Sequence, residues 1–121
     1  MCRPCLRSLL LCLALCLSSL TNANGDPATV SITEFMAANS RTLLDEDGDH
    51  SDWIELFNSG PVTTSMDGWF LTDDFGTLTK WRLPATNLAA NAALVVFASG
   101  KDRAAPGASL HTNFKLDASG G

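Results

Sequence analysis

The chain has 121 residues, 13 acidic and eight basic side chains, a net charge of −5 at pH 7 and 45% hydrophobic residues. This is enough chain for one domain with a modest core. The acidic balance disfavours nucleic acid or an anionic membrane as a partner, because both demand a cationic surface that displaces counterions.

Residues 1–23 read as a secretory signal peptide. Arg3 and Arg7 supply a basic start, Leu9 to Leu17 an apolar run, and Thr21-Asn22-Ala23 small residues at the cleavage positions. The run is too short for a membrane-spanning helix, which needs about 20 apolar residues. A lipoprotein acceptor is disfavoured, since Leu11 precedes Cys12 and Leu15 precedes Cys16. All four cysteines (Cys2, Cys5, Cys12, Cys16) lie in this leader, so the processed chain has no disulfide framework and relies on its core. It keeps six basic residues against all 13 acids, a net charge of −7. The expected localisation is secreted, periplasmic or cell surface, without membrane insertion after cleavage.

A polar lead-in over 24–29 precedes short apolar runs punctuated by Gly, Pro, Asn and Asp, the pattern of an all-β domain. Val30 to Met36 predicts a first strand with a phase slip after Ile32, hence a bulge or an edge. Trp53 to Phe57 predicts a second, with Trp53, Glu55 and Phe57 on one face and Ile54 and Leu56 on the other. Gly68 to Thr72, Leu78 to Leu83 and Leu94 to Ala98 follow, and the alternation of Leu110, Thr112, Phe114 and Leu116 predicts a sixth. The alanine-rich Thr86 to Ala93 is compatible with a short helix. Two asparagines and the following Val95-Val96 favour a turn leading into a strand. The sequence closes on Asp117 to Gly121, a turn signal, which leads us to expect a domain cut short before its last strands.

Between the first two strands, Asp45 to Asp52 carries five acids in eight residues. Clustered carboxylates suit a hard cation such as Ca²⁺, and Asp45, Asp47 and Asp49 fall in the register of the first three EF-hand ligands. His50 then occupies the place of the required glycine and Leu56 that of the bidentate glutamate. An EF-hand is therefore excluded, a looser calcium loop of Asp45, Asp47, Asp49 and Asp52 stays open, and a solvated turn with Asp47-Gly48 at the positive-φ position is the favoured reading.

Other chemistry is thin. His50 and His111 do not make a zinc pair, Ser99-Gly100-Lys101 lacks the rest of a phosphate loop, and there is no Gly-x-Ser-x-Gly elbow. Trp53 and Trp69 read as core and Trp81, between Lys80 and Arg82, less so. Glu34 and Glu55 read as rim carboxylates in water or paired with a base such as Arg82; the alternative is a buried carboxylate marking a site.

The ordered series Ile32 to Asn39, Asp45 to Asp49, Asp52 to Asn58, Gly68 to Asp74, Trp81 with Leu83-Pro84, Phe97 to Lys101 and Leu110 to Phe114 resembles the lamin-tail domain family in its bacterial secreted form. The resemblance spans about 30–121 and implies an immunoglobulin-like β-sandwich with further strands beyond Gly121. The function expected is a non-catalytic secreted or cell-surface module for binding or spacing, within a larger multidomain protein, with a protein or carbohydrate partner. Alternatives are a Ca²⁺-dependent adhesion or structural module, or a domain appended to an extracellular enzyme.

Overall fold

The computed structural model describes Leu10–Cys12 and residues 29–119. The leader and the lead-in otherwise lie outside the described residues, as do Gly120 and Gly121. Nine strands follow in order: β1 (Leu10–Cys12), β2 (Val30–Met36), β3 (Asp52–Asn58), β4 (Thr64–Ser65), β5 (Phe70–Thr72), β6 (Trp81–Arg82), β7 (Asn87–Leu88), β8 (Ala93–Ala98) and β9 (Leu110–His111). No α-helix occurs among the described residues.

The strands form a four-stranded sheet of order β2-β3-β8-β9, a three-stranded sheet of order β1-β5-β6 and the two-stranded clip β4-β7. All pairings are antiparallel except β8 with β9. The architecture is an immunoglobulin-like β-sandwich, as the sequence led us to expect. The phase slip in β2 is a register shift between Ile32 and Glu34, which leaves Thr33 unpaired on the strand. That shift returns Phe35 to the face of Val30 and Ile32, and all three join the core.

Period-two alternation decides what each face of the large sheet does. On the inner face, Ile54, Leu56, Val96 and Leu110 pack against Met66, Trp69, Leu71, Trp81 and Leu83. Complete burial of a Leu or Ile side chain contributes about 1.5–3 kcal/mol. On the outer face, Trp53 lies opposite Phe97 and Phe97 opposite His111. The Phe97 and His111 rings stack at 5.2 Å, and the Trp53 indole N–H donates to Thr42 Oγ1. Trp53 is thus buried under a loop and not in the central core.

Asn58, fully buried, fixes the end of β3. Its carboxamide oxygen accepts from Thr29 Oγ1 and the Gly60 N–H, while its nitrogen donates to the carbonyls of Val62 and Leu88. One side chain therefore ties β3 to the clip and to the approach to β2.

Two strands and one tryptophan differ from the sequence reading. The fourth strand is only Trp81–Arg82, because Thr77 and Leu78 to Lys80 belong to a turn region closed on Asp74. The sixth is only Leu110–His111, because the Thr112 hydroxyl donates to the Phe114 carbonyl and bends the chain. Trp81 belongs to the core with Trp69 and is at least as buried: its charged neighbours turn outward to Asp73 and Asp67, and its indole N–H donates to Asp102 Oδ1. The alanine-rich stretch is β7 and a turn through Asn91 at φ 57°, a left-handed conformation that asparagine tolerates.

Candidate functional site

The acidic turn is organised by its first member. Asp45 Oδ1 accepts the backbone N–H groups of Asp47 and Asp49, both at 3.0 Å, in the manner of an Asx turn. Its Oδ2 accepts from Ser51 Oγ at 2.6 Å and Lys101 Nζ at 2.6 Å. The Gly48 N–H closes the turn on the Asp45 carbonyl, with Gly48 at φ 81°, so the Asp47-Gly48 pair does supply the positive φ. Asp45 itself is buried, unlike the solvated residue a polar turn suggests.

Lys101 is the cation of the cluster. Besides Asp45, its ammonium lies 2.7 Å from Asp47 Oδ2 and 3.0 Å from Asp49 Oδ2. The geometry arises in the segment after β8, where Gly100 at φ 77° and Asp102 at φ 53° coil the backbone. Of the four aspartates named from sequence, the structure brings Asp45, Asp47 and Asp49 within 4.8 Å of one another and leaves Asp52 apart. Asp52 Oδ1 accepts the Asn39 N–H and anchors the preceding loop.

Glu46 points to the other side of the turn. It accepts from Arg103 at 2.7 Å and from His111 Nε2 at 2.8 Å, while His111 Nδ1 and Ser99 Oγ are 2.8 Å apart. In the neutral ring, a proton on Nε2 facing the carboxylate leaves Nδ1 to accept the serine hydroxyl. Carboxylate, imidazole and hydroxyl thus stand in the order of a nucleophilic triad with the ring nitrogens exchanged. Here His111 is fully buried, and Ser99 Oγ also accepts the Lys101 N–H at 3.1 Å. The hydroxyl is engaged on both sides, and the relay joins β8, β9 and the acidic turn. A cleft of about 250 Å³ between Asp49, Asp52, Ser99 and Lys115 adjoins it.

The electrostatics follow from this packing. Burial acts to raise the Asp45 pKa, but hydrogen bonds from Lys101, Ser51 and the backbone of Asp49 and Asp47 outweigh it and hold the carboxyl far below its usual range. The His111 hydrogen bond, with its own backbone N–H and Arg103, lowers Glu46 to about 2. Hydrogen bonds from Lys101 and then Arg103 lower Asp47, and those to Asp45, Asp47 and Asp49 raise Lys101.

Lys101, Glu46, Arg103, Ser99 and His111 were not picked out as one group by sequence. The available signal was charge: Lys101 and Arg103 are two of only six bases after the leader, two positions apart, in a chain whose acids concentrate in one loop. Glu34 and Glu55 lie opposite each other across β2 and β3, and Glu55 accepts from Thr33 Oγ1. Arg82 pairs instead with Asp67.

These features define an immunoglobulin-like β domain whose acidic loop is braced by internal bases. The chain matches the Lamin Tail Domain family over residues 23–121 and belongs to it. No curated protein and no solved structure matches the chain.

Proposed function

We propose that this chain is a secreted or cell-surface, non-catalytic module that binds a protein or carbohydrate through its loops, or spaces other domains. The observation that carries this reading is that two loops each expose a pair of large apolar side chains. Leu43 and Leu44 are 45% and 55% exposed, and Phe75 and Leu78 are 61% and 46% exposed. Exposed apolar residues paired on ordered loops fit a contact surface better than solvent. The polar groups that could serve catalysis are meanwhile engaged with one another in the brace. The test is binding of the full chain to arrays of extracellular proteins and glycans. The reading expects a ligand that Phe75→Ser with Leu78→Ser, or Leu43→Ser with Leu44→Ser, loses; a ligand retained by both double variants contradicts it.

A calcium-dependent adhesion or structural module is the second reading, favoured by the convergence of Asp45, Asp47 and Asp49. It requires Ca²⁺ to displace the Lys101 ammonium, and a rise in melting temperature with millimolar Ca²⁺ is its signature. The third, a domain serving an extracellular enzyme, is tested by reading the gene for a catalytic domain in the same frame.

A further inference from the structure

We propose that Asp67-Gly68 is a site of spontaneous covalent modification, at which the aspartate isomerises to isoaspartate through a cyclic imide, while the fold protects the identical pair Asp47-Gly48. Both pairs lie among the described residues, each glycine has a positive φ, and a Cβ added to either would meet nothing within 4 Å. The two sites therefore share their intrinsic chemistry. They differ in what holds them.

In the reaction the Gly68 backbone nitrogen attacks Cγ of the protonated Asp67 carboxyl. A C–N bond forms, the Cγ–OH bond breaks, and the amide proton leaves with the hydroxyl as one water. Solvent water then opens the imide. Attack at the side-chain carbonyl restores aspartate, and attack at the main-chain carbonyl leaves a backbone that runs through Cβ and Cγ, which is isoaspartate. One water is lost and one regained, nothing is oxidised, and no reagent beyond solvent is needed. Glycine is the most permissive residue at the attacking position, because it has no side chain to obstruct the nitrogen or restrict its approach.

Asp67 and Gly68 are the central residues of a turn closed by the Trp69 N–H on the Met66 carbonyl at 3.1 Å. Met66 and Trp69 are buried, whereas the Asp67 side chain is 57% exposed. Its ion pair with Arg82, at 3.0 Å, is equally open to solvent and restrains it little. Among the described residues no hydrogen bond holds the Gly68 N–H.

Asp47 is tied down at every point the reaction must move. Its Oδ2 lies 2.7 Å from Lys101 Nζ and 2.8 Å from Arg103, its own N–H donates to Asp45 Oδ1, and the Gly48 N–H donates to the Asp45 carbonyl at 3.0 Å. The two bases also keep its carboxyl ionised, the form less open to attack. Bringing the Gly48 nitrogen onto Cγ would lift the turn off the buried Asp45, whereas Asp67 has only an exposed turn to open. Isoaspartate at 67 adds one backbone atom between two core side chains, so the product carries a local distortion beside Trp69.

The test ages the full chain in warm, neutral heavy-oxygen water and maps both sites after cleavage at Phe57, which separates them. Heavy oxygen enters when an imide opens, so it counts turnover. Deamidation at Asn24, which precedes Gly25, changes residue identity and falls in another peptide. Isoaspartate and label should accumulate at Asp67 about tenfold faster than at Asp47 in the folded chain. In urea the two rates should converge. Asp67→Glu, which keeps a carboxylate for Arg82 but would need a slower six-membered ring, should abolish the product at 67, and Lys101→Met should raise the rate at Asp47 alone. Equal rates in the folded chain, a faster rate at Asp47, or product at 67 only after unfolding overturns the proposal.

Discussion

Lys101 and Asp45 are 56 positions apart in sequence and 2.6 Å apart in space, with the Asp45 side chain fully enclosed. Their pairing turns a stretch of mutually repelling acids into a folded loop and fixes that loop to the end of β8. Removing the buried partner isolates its effect. Asp45→Ala loses two backbone caps, the Ser51 bond and the lysine contact together, and should destabilise the domain by about 3 kcal/mol. Urea titration checks this, with a loss below about 0.5 kcal/mol counting against the brace.

The same contacts set a pH window. Asp45, Glu46 and Asp47 have folded pKa values below their ordinary ones, so the stability they supply is complete above about pH 5 and is lost as pH falls through the folded values, near 2 for Glu46. Lys101 is raised above 10.5, so its contribution is complete below that pH and is lost only as pH rises through the higher folded value. The contribution of these four groups to the urea midpoint should therefore be constant between about pH 5 and 10 and decline on the acid side. A midpoint unchanged between pH 5 and 2.5 would contradict this.

The relay through His111 predicts a smaller effect. Ser99→Ala removes the hydroxyl that faces Nδ1 of a fully buried ring and also accepts the Lys101 N–H. An unsatisfied buried acceptor costs about 1–2 kcal/mol. The loss should be visible by denaturant titration, and amide exchange should rise at Lys101 before it rises in β3. Uniform exchange across both regions would argue against a local brace.

Asn58→Ala should be among the most damaging single changes outside the apolar core. Five hydrogen bonds end on this carboxamide, from or to Thr29, Gly60, Val62, Leu88 and, at 3.4 Å, Thr64. Two carbonyls and one backbone N–H would lose their partner in a buried place, and the expected cost is about 3 kcal/mol. Asn58→Asp should also destabilise, since the two carbonyls then face a carboxylate.

How much of this was legible before the fold is best judged by residue. The slip between Ile32 and Phe35 announced the β2 bulge, and Ile54 and Leu56 announced the buried face of β3, because alternation is a local signal. Asn87 and Asn91 argued correctly against a helix. Gly48 marked the positive φ. By contrast, Glu46 meets His111 across 65 positions and Lys101 meets Asp49 across 52. No local spacing encodes such contacts, so the acids looked solvated when the fold supplies their counter-charges. The β9 alternation continued to Leu116 in sequence, yet the Thr112 side chain competes for the backbone and ends the strand.

The account's central claim is that Lys101 acts as the internal cation of the Asp45 to Asp49 turn. It is tested most directly by the melting temperature of the unaltered chain and of Lys101→Met, each with and without millimolar Ca²⁺. The account predicts no change with Ca²⁺ in the unaltered chain, a melting temperature lower by several degrees in Lys101→Met, and partial recovery of the variant when Ca²⁺ replaces the missing charge. A Ca²⁺-dependent rise in the unaltered chain, or a Lys101→Met variant as stable as its parent, would contradict it.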